Sequence, residues 1–191
     1  MKNRCPWCKG FEQYVQYHDE EWGVPVHDDK THFEFLILEG AQAGLSWATI
    51  LKKRLGYRDA FANFEVEAVA NFNEDEILAL TQFSGIIRNK LKIRGAVNNA
   101  KRFMQVQKEF GSFDAYIWSF VGHKPIVNHW EHMHEVPAKT KESDAFSKDL
   151  AKRGFKFVGS ITMYAHMQAC GLVNDHLTSC FRYEEIINSY S

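Results

Sequence analysis

Hydrophobic positions along most of the chain recur at intervals of three and four residues, the period of an α-helix with one buried face. The clearest run extends from Ile93 to Met104 over three turns, and Gly111 marks its predicted end. Asn73 with Glu76 three residues later resembles a capping box, which predicts a further helix beginning there. With only four prolines and no strand-like alternation, the pattern predicts an all-α protein.

The pattern also predicts a helix that carries a conspicuous carboxylate. Asp28 or Asp29 can cap this helix, which runs toward Gly40, and a short helix should follow Ser46. Glu39 comes directly after an apolar run and would share its helix face with apolar side chains. A charge there needs a partner. It is either an edge-of-core glutamate bonded to a neighbouring amide or arginine, or a functional group facing a site.

Residues 83–88 form a predicted tight turn between two helices, with Gly85 allowing the backbone to bend. Lys90, Lys92 and Arg94 follow at once. In a helix-hairpin-helix, free amides at the start of the second helix donate to a phosphate oxygen while nearby basic side chains screen its charge. A plain helical hairpin explains the same residues. The DNA-binding version usually has a second glycine, and here the matching positions hold isoleucine and arginine.

Cysteine and histidine residues near the two ends of the chain could bind one zinc ion. His176 and Cys180 are four residues apart, a spacing that on a helix places both side chains on one face. At the other end, Cys5 could act with either His18 or Cys8, and spacing alone does not choose between them. Four protein ligands would make the zinc structural rather than catalytic. The alternative is scattered residues that bind no metal.

The composition is typical of a globular protein. At 191 residues with 45% hydrophobic and 25% charged side chains, the chain can fill one core. It shows neither a membrane-spanning run nor a signal-peptide pattern, so we expect a cytoplasmic protein with reduced thiols. A formal net charge of −1 argues against extensive non-specific phosphate binding but allows a local basic patch.

Several motifs together resemble the 3-methyladenine DNA glycosylase I family, a branch of the helix-hairpin-helix glycosylases. They are YHDEEWG at 17–23, LEGAQAGLSW at 38–47, GFKFVG at 154–159 and MQACGLVNDH at 167–176. The resemblance extends from Cys5 to Cys180. It implies one compact unit over residues 1–191, in which zinc-linked termini, 1–25 and 165–181, pack on a helical body, 26–164.

The resemblance also implies roles for particular residues. Zinc would be held by Cys5, His18, His176 and Cys180, which favours His18 over Cys8. The base pocket would contain Glu39 as the catalytic residue, with Tyr17, Trp47, Trp22 and Trp7 binding the base. Contacts with DNA would come from Gly44 and Leu45, which enter the duplex, and from Ser84, Gly85, Arg88, Lys90, Lys156 and Gly159. In better-known relatives an aspartate beyond the hairpin assists bond cleavage. None stands at a matching place here, since Asp114 looks like a turn or cap residue.

The expected reaction is removal of 3-methyladenine from alkylated double-stranded DNA. The nucleotide must first rotate out of the duplex, and Leu45 could fill the space it leaves. A cationic purine stacks favourably on Trp47, and Glu39 as a carboxylate would accept its donors. No lysine suggests itself as a nucleophile, so we expect hydrolysis to an abasic site without strand cleavage, by a monomer. Two alternatives are a zinc-stapled α-helical DNA-binding or adaptor protein without catalysis, and a zinc hydrolase.

Overall fold

The helix predicted after Asp28 crosses the centre of the molecule. In the computed structural model, which describes residues 2–190, it spans Asp29–Gln42, and every side chain from His32 to Ala41 is buried. The Asp28 carboxylate caps it by accepting from the amide of Thr31 at 2.8 Å. A helix buried on all sides must have neighbours around its whole circumference. It therefore positions the elements that pack against it, and Glu39 lies near its end.

The described residues are mostly helical, which agrees with the predicted class. The α-helices are α1 (Glu12–Glu20), α2 (Asp29–Gln42), α3 (Trp47–Lys52), α4 (Arg54–Ala60), α5 (Val66–Ala70), α6 (Glu74–Leu80), α7 (Lys90–Phe110), α8 (Phe113–Trp118), α9 (Lys141–Lys152), α10 (Ser160–Ala169) and α11 (Phe181–Ser189). Short 3-10 turns lie at Pro6–Cys8, Ala62–Phe64, Ser119–Val121 and Met133–Glu135. Helices α7, α8, α10 and α3 pack against α2.

One small sheet departs from the all-α prediction. Strand β1 (Ile126–Val127) pairs in parallel with β2 (Val173–Asn174), with Ile126 opposite Val173. Two residues a strand are too few to leave an alternating pattern in the sequence. The pairing joins the loop after α8 to the segment after α10, which holds the end of the chain against the helical body.

Helices α6 and α7 begin or end at the residues that the sequence predicted. Asn73 and Glu76 form the capping box that starts α6. Helix α7 ends at Gly111, whose φ of 87° is a conformation that favours glycine. Asn89 caps the start of α7 by accepting from the amides of Leu91 and Lys92. Between the two helices, the turn bends the chain back, so that α6 packs on α7.

Most of the buried apolar side chains belong to one cluster, which extends from Cys5 to Cys180. At its edge, Arg54 of α4 ties three helices together, since it donates to Glu34 of α2 at 2.7 Å and to Glu21 after α1 at 2.8 Å. Within residues 2–190, no helix has both the length and the apolar character needed to cross a membrane.

Candidate functional site

A cavity of about 210 Å³ opens between α1, the end of α2, the start of α3 and α10. Glu39, Tyr17, Trp47, Trp22 and Trp7 all line it, so the fold brings together every residue predicted for the base pocket. Engineered apolar cavities of about 150 Å³ hold benzene. This cavity is therefore large enough for one flat bicyclic ring.

Glu39 is the one acidic side chain among the described residues that line this cavity. It is only 4% exposed, and no described residue hydrogen-bonds to its Oε2. Burial raises the pKa of this carboxyl to about 8. Burial thus favours the protonated form of a group that we predicted to act as a carboxylate. The arginine or amide partner of the edge-of-core alternative is missing at Oε2, so a polar atom remains for something inside the cavity.

The walls of the cavity are aromatic. Tyr17 and Trp47 lie with ring centroids 5.4 Å apart, and Trp7 meets Trp22 edge-on at 4.9 Å. Burial raises the pKa of the Tyr17 hydroxyl well above its ordinary value, with the Glu39 charge as a smaller cause, so the phenol keeps its proton. The Nε1 of Trp47 is buried without a partner among the described residues. The cavity thus offers flat apolar faces and a few unsatisfied polar atoms.

Several residues that line the cavity were not predicted from the sequence. They are Tyr14, Gln42, Met133, Val136, Ala165 and Gln168. Tyr14 could have been found, because it lies three residues before Tyr17 on the same helix face. Met133 and Val136 belong to an irregular loop, where no periodicity indicates which side chains face inward.

A shallow groove continues from the cavity along the outside of the molecule. It is lined by Glu39, Gly44 and Leu45 together with Ile161 of α10. Gly44 has a φ of +79°, and a Cβ there would meet nothing within 4 Å, so the loop is open on this side. Leu45 is 40% and Ile161 64% exposed. Ile161 was not predicted, and it adds a second apolar side chain beside Leu45 at the cavity mouth.

The four predicted metal ligands meet in one buried cluster, hereafter the Cys₂His₂ cluster: Cys5, His18, His176 and Cys180, whose ligand atoms lie within 4.8 Å of one another. Cys180 Sγ is 3.5 Å from both His18 Nε2 and His176 Nδ1. The Cys5 thiol, followed by the two imidazoles, lowers the pKa of Cys180. The cluster joins residues from the two ends of the chain.

The other nitrogen of each histidine is already engaged. His18 Nδ1 lies 2.8 Å from Asp19 Oδ1, and His176 Nε2 lies 2.9 Å from the carbonyl of Trp22. Such outer contacts fix the ring orientation of metal-binding histidines. The donor set and these contacts suit a metal that prefers nitrogen and sulfur ligands.

The local structure around two of the four residues differs from the predicted helix. His176 and Cys180 do not lie on a helix: the amide of His176 donates to Asn174 Oδ1, and Cys180 is the N-cap of α11. A tight turn, in which the Cys180 amide donates to Leu177, gives the two side chains a common direction instead. Cys8 lies outside the cluster, because its thiol donates to the Cys5 carbonyl at 3.2 Å.

A second buried group contains His32, His166 and Cys170. Burial lowers the pKa of His166 well below its ordinary value and raises that of Cys170 well above it, so both are neutral core side chains. Asp114 accepts from His32 and His27 at 3.2 and 3.3 Å and does not line the cavity, which fits a structural residue.

The predicted hairpin turn is built against α4. A Cβ on Gly56 would lie 2.2 Å from the carbonyl oxygen of Gly85, so the two backbones touch. Lys53 donates to the Ser84 carbonyl at 2.8 Å, and the Ile87 amide donates to the Tyr57 hydroxyl at 3.2 Å. This support could not be predicted from the local sequence, because it comes from a helix distant in sequence.

The basic side chains near the turn do not all remain available. Lys92 donates to the carbonyls of Ala41 and Ala43 at the end of α2, and Arg94 pairs with Glu74. The amides of Leu91 and Lys92 are taken by Asn89, which differs from the free amides we predicted. The remaining predicted DNA contacts on the surface are Arg88, Lys90, Lys156 and Gly159, all exposed, and Gly85, which is partly buried beside exposed Ser84.

Comparison with known proteins gives consistent matches over most of the chain. Residues 7–183 match the family described as methyladenine glycosylase. The DNA-3-methyladenine glycosylase of Haemophilus influenzae is 49% identical over 180 residues, which cover 94% of this chain and 97% of that protein.

Solved structures agree in fold. A crystal structure of 3-methyladenine DNA glycosylase I superposes with a TM-score of 0.92 at 45% identity, covering 94% of this chain and 98% of the other. A structure that describes 3-methyladenine recognition by the Staphylococcus aureus enzyme gives a TM-score of 0.91 at 37% identity, covering 94% and 96%.

Proposed function

Because the chain belongs to the methyladenine glycosylase family, we propose that it removes 3-methyladenine from alkylated double-stranded DNA by hydrolysis of the N-glycosidic bond. The product would be an abasic site in otherwise intact DNA. The proposal rests on one observation: the carboxyl of Glu39 is buried, has no partner on Oε2, and lies in an aromatic cavity of the size of one base.

Recognition would depend on the charge of the damaged base. In DNA, N3-methylation leaves adenine with a positive charge, and such a ring stacks on Trp47 more favourably than neutral adenine by roughly 0.5–2 kcal/mol. A cation in the cavity would favour the ionised form of Glu39, whose pKa of about 8 places it within reach of this change. Hydrogen bonds to the resulting carboxylate are about twice as strong as neutral ones. Tyr17 would complete the polar contacts with its hydroxyl.

The base must leave the duplex to reach the cavity, at a cost of a few kcal/mol. We propose that the loop with Gly44 and Leu45 enters the duplex at that point, and that Leu45 occupies part of the vacated space. Both residues border the groove that leads to Glu39. Phosphate contacts would come from Ser84, Gly85, Arg88 and Lys90 of the hairpin, and from Lys156 and Gly159 before α10.

Hydrolysis of the glycosidic bond would not require a lysine as nucleophile. None lines the cavity among the described residues, so an imine with the sugar has no candidate nucleophile here. The positive charge already weakens the glycosidic bond, and the base can depart without prior protonation. What this chain's residues do is hold the departing base and exclude competing ones. We expect a monomer to suffice, since one chain forms the whole cavity.

We further propose that the Cys₂His₂ cluster binds one structural zinc ion. Two thiols and two imidazoles are ligands that zinc accepts, and four protein ligands leave no position for a reacting water. The zinc ion would hold the Cys5–His18 segment and the His176–Cys180 segment together and would take no part in the reaction.

The test uses two substitutions on the same helix. Glu39→Gln should reduce release of 3-methyladenine from methylated DNA by roughly 10- to 100-fold, the loss of one charge-assisted hydrogen bond, with binding to undamaged DNA unchanged. Glu34→Gln is the matched control, because Glu34 is also buried but pairs with Arg54 outside the cavity. It should lower stability without lowering release per folded molecule. Unchanged release by a folded Glu39→Gln protein would refute the catalytic assignment, and no release by the unaltered protein would favour a non-catalytic DNA-binding protein.

A further inference from the structure

Asp175 is the most heavily hydrogen-bonded carboxylate beside the cavity. It is 1% exposed and accepts four hydrogen bonds, two on each oxygen. Oδ1 accepts from Asn128 at 2.7 Å and from Trp130 Nε1 at 2.8 Å. Oδ2 accepts from the Tyr164 hydroxyl at 2.6 Å and from Gln168 Nε2 at 2.8 Å. A carboxylate offers about four lone-pair sites, so this one is saturated.

The contact with Gln168 determines which way that amide faces. A carboxylate only accepts hydrogen bonds, so Gln168 must present its NH₂ group to Asp175. The side-chain carbonyl oxygen of Gln168 is then not used by Asp175. Gln168 lines the same cavity as Glu39 and Trp47. The backbone of Gln168 is fixed as well, because its carbonyl accepts from the Gly23 amide at 3.0 Å.

We infer that Gln168 is a further base-recognition residue, whose carbonyl oxygen accepts a hydrogen bond from the bound purine, and that Asp175 is the positioning residue that keeps this oxygen toward the cavity. The inference rests on the proposed function. An acceptor at a fixed position suits a methylated adenine, whose exocyclic amine carries two N–H donors and cannot be served by Glu39 alone if both are buried.

Asp175 also bonds to the loop that forms another part of the cavity wall. Its partners Asn128 and Trp130 begin the loop that carries Met133 and Val136 into the cavity. Both partners donate to Oδ1, whereas Gln168 donates to Oδ2, so an asparagine that keeps its oxygen toward Asn128 and Trp130 leaves this loop in place. A purely structural carboxylate would act through stability alone, whereas a positioning residue affects base affinity specifically through Gln168.

The experiment measures binding of free 3-methyladenine by quenching of tryptophan fluorescence, with thermal unfolding recorded for each variant. Gln168→Met, which keeps the length of the side chain without its acceptor, should weaken binding about 5- to 50-fold. Asp175→Asn should weaken it similarly, because an amide there can offer NH₂ to the Gln168 carbonyl and let that side chain turn around. In the Gln168→Met background, Asp175→Asn should then weaken binding of 3-methyladenine by less than a further twofold.

Tyr164→Phe is the control for structure. It removes another donor to the same oxygen of Asp175 but lies outside the cavity lining, so it should lower the unfolding temperature and leave base affinity within twofold. Unchanged affinity in Gln168→Met overturns the inference, and fully additive losses in the double variant overturn the positioning role. If Asp175→Asn does not fold, Gln168→Met alone decides the recognition role. No binding by the unaltered protein would refute the proposed function itself.

Discussion

The indole of Trp22 packs edge-on against the imidazole of His176, with ring centroids 4.6 Å apart, while His176 Nε2 lies 2.9 Å from the Trp22 carbonyl. One residue lines the cavity and the other belongs to the Cys₂His₂ cluster. Trp7 extends the same contact, because its ring lies 5.2 Å from that of His18. The cluster is therefore in direct contact with two aromatic walls of the cavity.

Loss of the proposed zinc ion should weaken base binding as well as stability. Cys180→Ser is expected to abolish zinc binding, to lower the unfolding temperature, and to reduce affinity for 3-methyladenine severalfold as Trp22 and Trp7 lose their support. Metal content, thermal unfolding and base binding measure the three effects. Cys8→Ser is the control, since Cys8 lies outside the cluster. Equal metal loss in both variants would contradict the ligand assignment.

The carboxyl of Glu39 should make the stability of the free protein depend on pH. Its pKa is about 8 in the folded chain against an ordinary value of 4.5. The unfolded chain gives up this proton first, so the contribution to stability is largest below pH 4.5, declines as the pH rises to 8, and is constant above that.

Glu39→Gln removes this dependence. The difference in the free energy of unfolding between variant and unaltered protein should therefore shift in favour of the variant as the pH rises, by at most about 4 to 5 kcal/mol. Urea unfolding at several pH values between 4.5 and 9 measures it. A difference that stays constant across this range would show that burial does not raise the pKa of Glu39.

Leu45 should matter for DNA and not for the free base. Leu45→Ala is expected to slow release of 3-methyladenine from duplex DNA about tenfold, because a smaller side chain fills less of the vacated space. Binding of free 3-methyladenine should stay unchanged. Met104→Ala is the control, since Met104 is similarly exposed at 37% but lines a different groove. Equal slowing in both variants would argue against insertion of Leu45, and Ile161→Ala tests its neighbour in the same assay.

The close contact of Gly56 with Gly85 predicts a sharp steric effect. Gly56→Ala places a methyl group against a backbone oxygen, which cannot move aside as a side chain could. We expect a destabilisation of about 2 kcal/mol or more, within the range of strained substitutions. Gly159→Ala should leave stability nearly unchanged, because nothing lies within 4 Å of the added atom. Thermal unfolding compares the two, and equal stability would show that the hairpin does not need this contact.

Local signals in the sequence were sufficient for the helices that begin at Asp28 and Asn73, because a cap and the helix it starts are only a few residues apart. They were insufficient for the segment from His176 to Cys180. A four-residue spacing suggested a helix there, but β2 pairs with a distant strand just before this segment, and the amide of His176 donates to the side chain of Asn174 in β2, so the chain forms a turn instead.

The members of the candidate site could be found from the sequence to the extent that they occur in compact motifs. Glu39, Tyr17 and Trp47 belong to such motifs, whereas Met133 and Val136 reach the cavity from a loop. The protonation of Glu39 also could not be read from its position, because it depends on how completely other elements exclude water. Likewise, the sequence suggested Lys92 as a phosphate contact, but in the structure it donates to the Ala41 carbonyl at the end of α2.

The Cys₂His₂ cluster also constrains when the protein can become competent during its synthesis. Trp7 and Trp22 are synthesised long before His176 and Cys180, the residues against which their supporting cluster is completed. The aromatic walls of the cavity can therefore be held in place only after Cys180 has been made, so a chain that stops short of Cys180 should not bind the base.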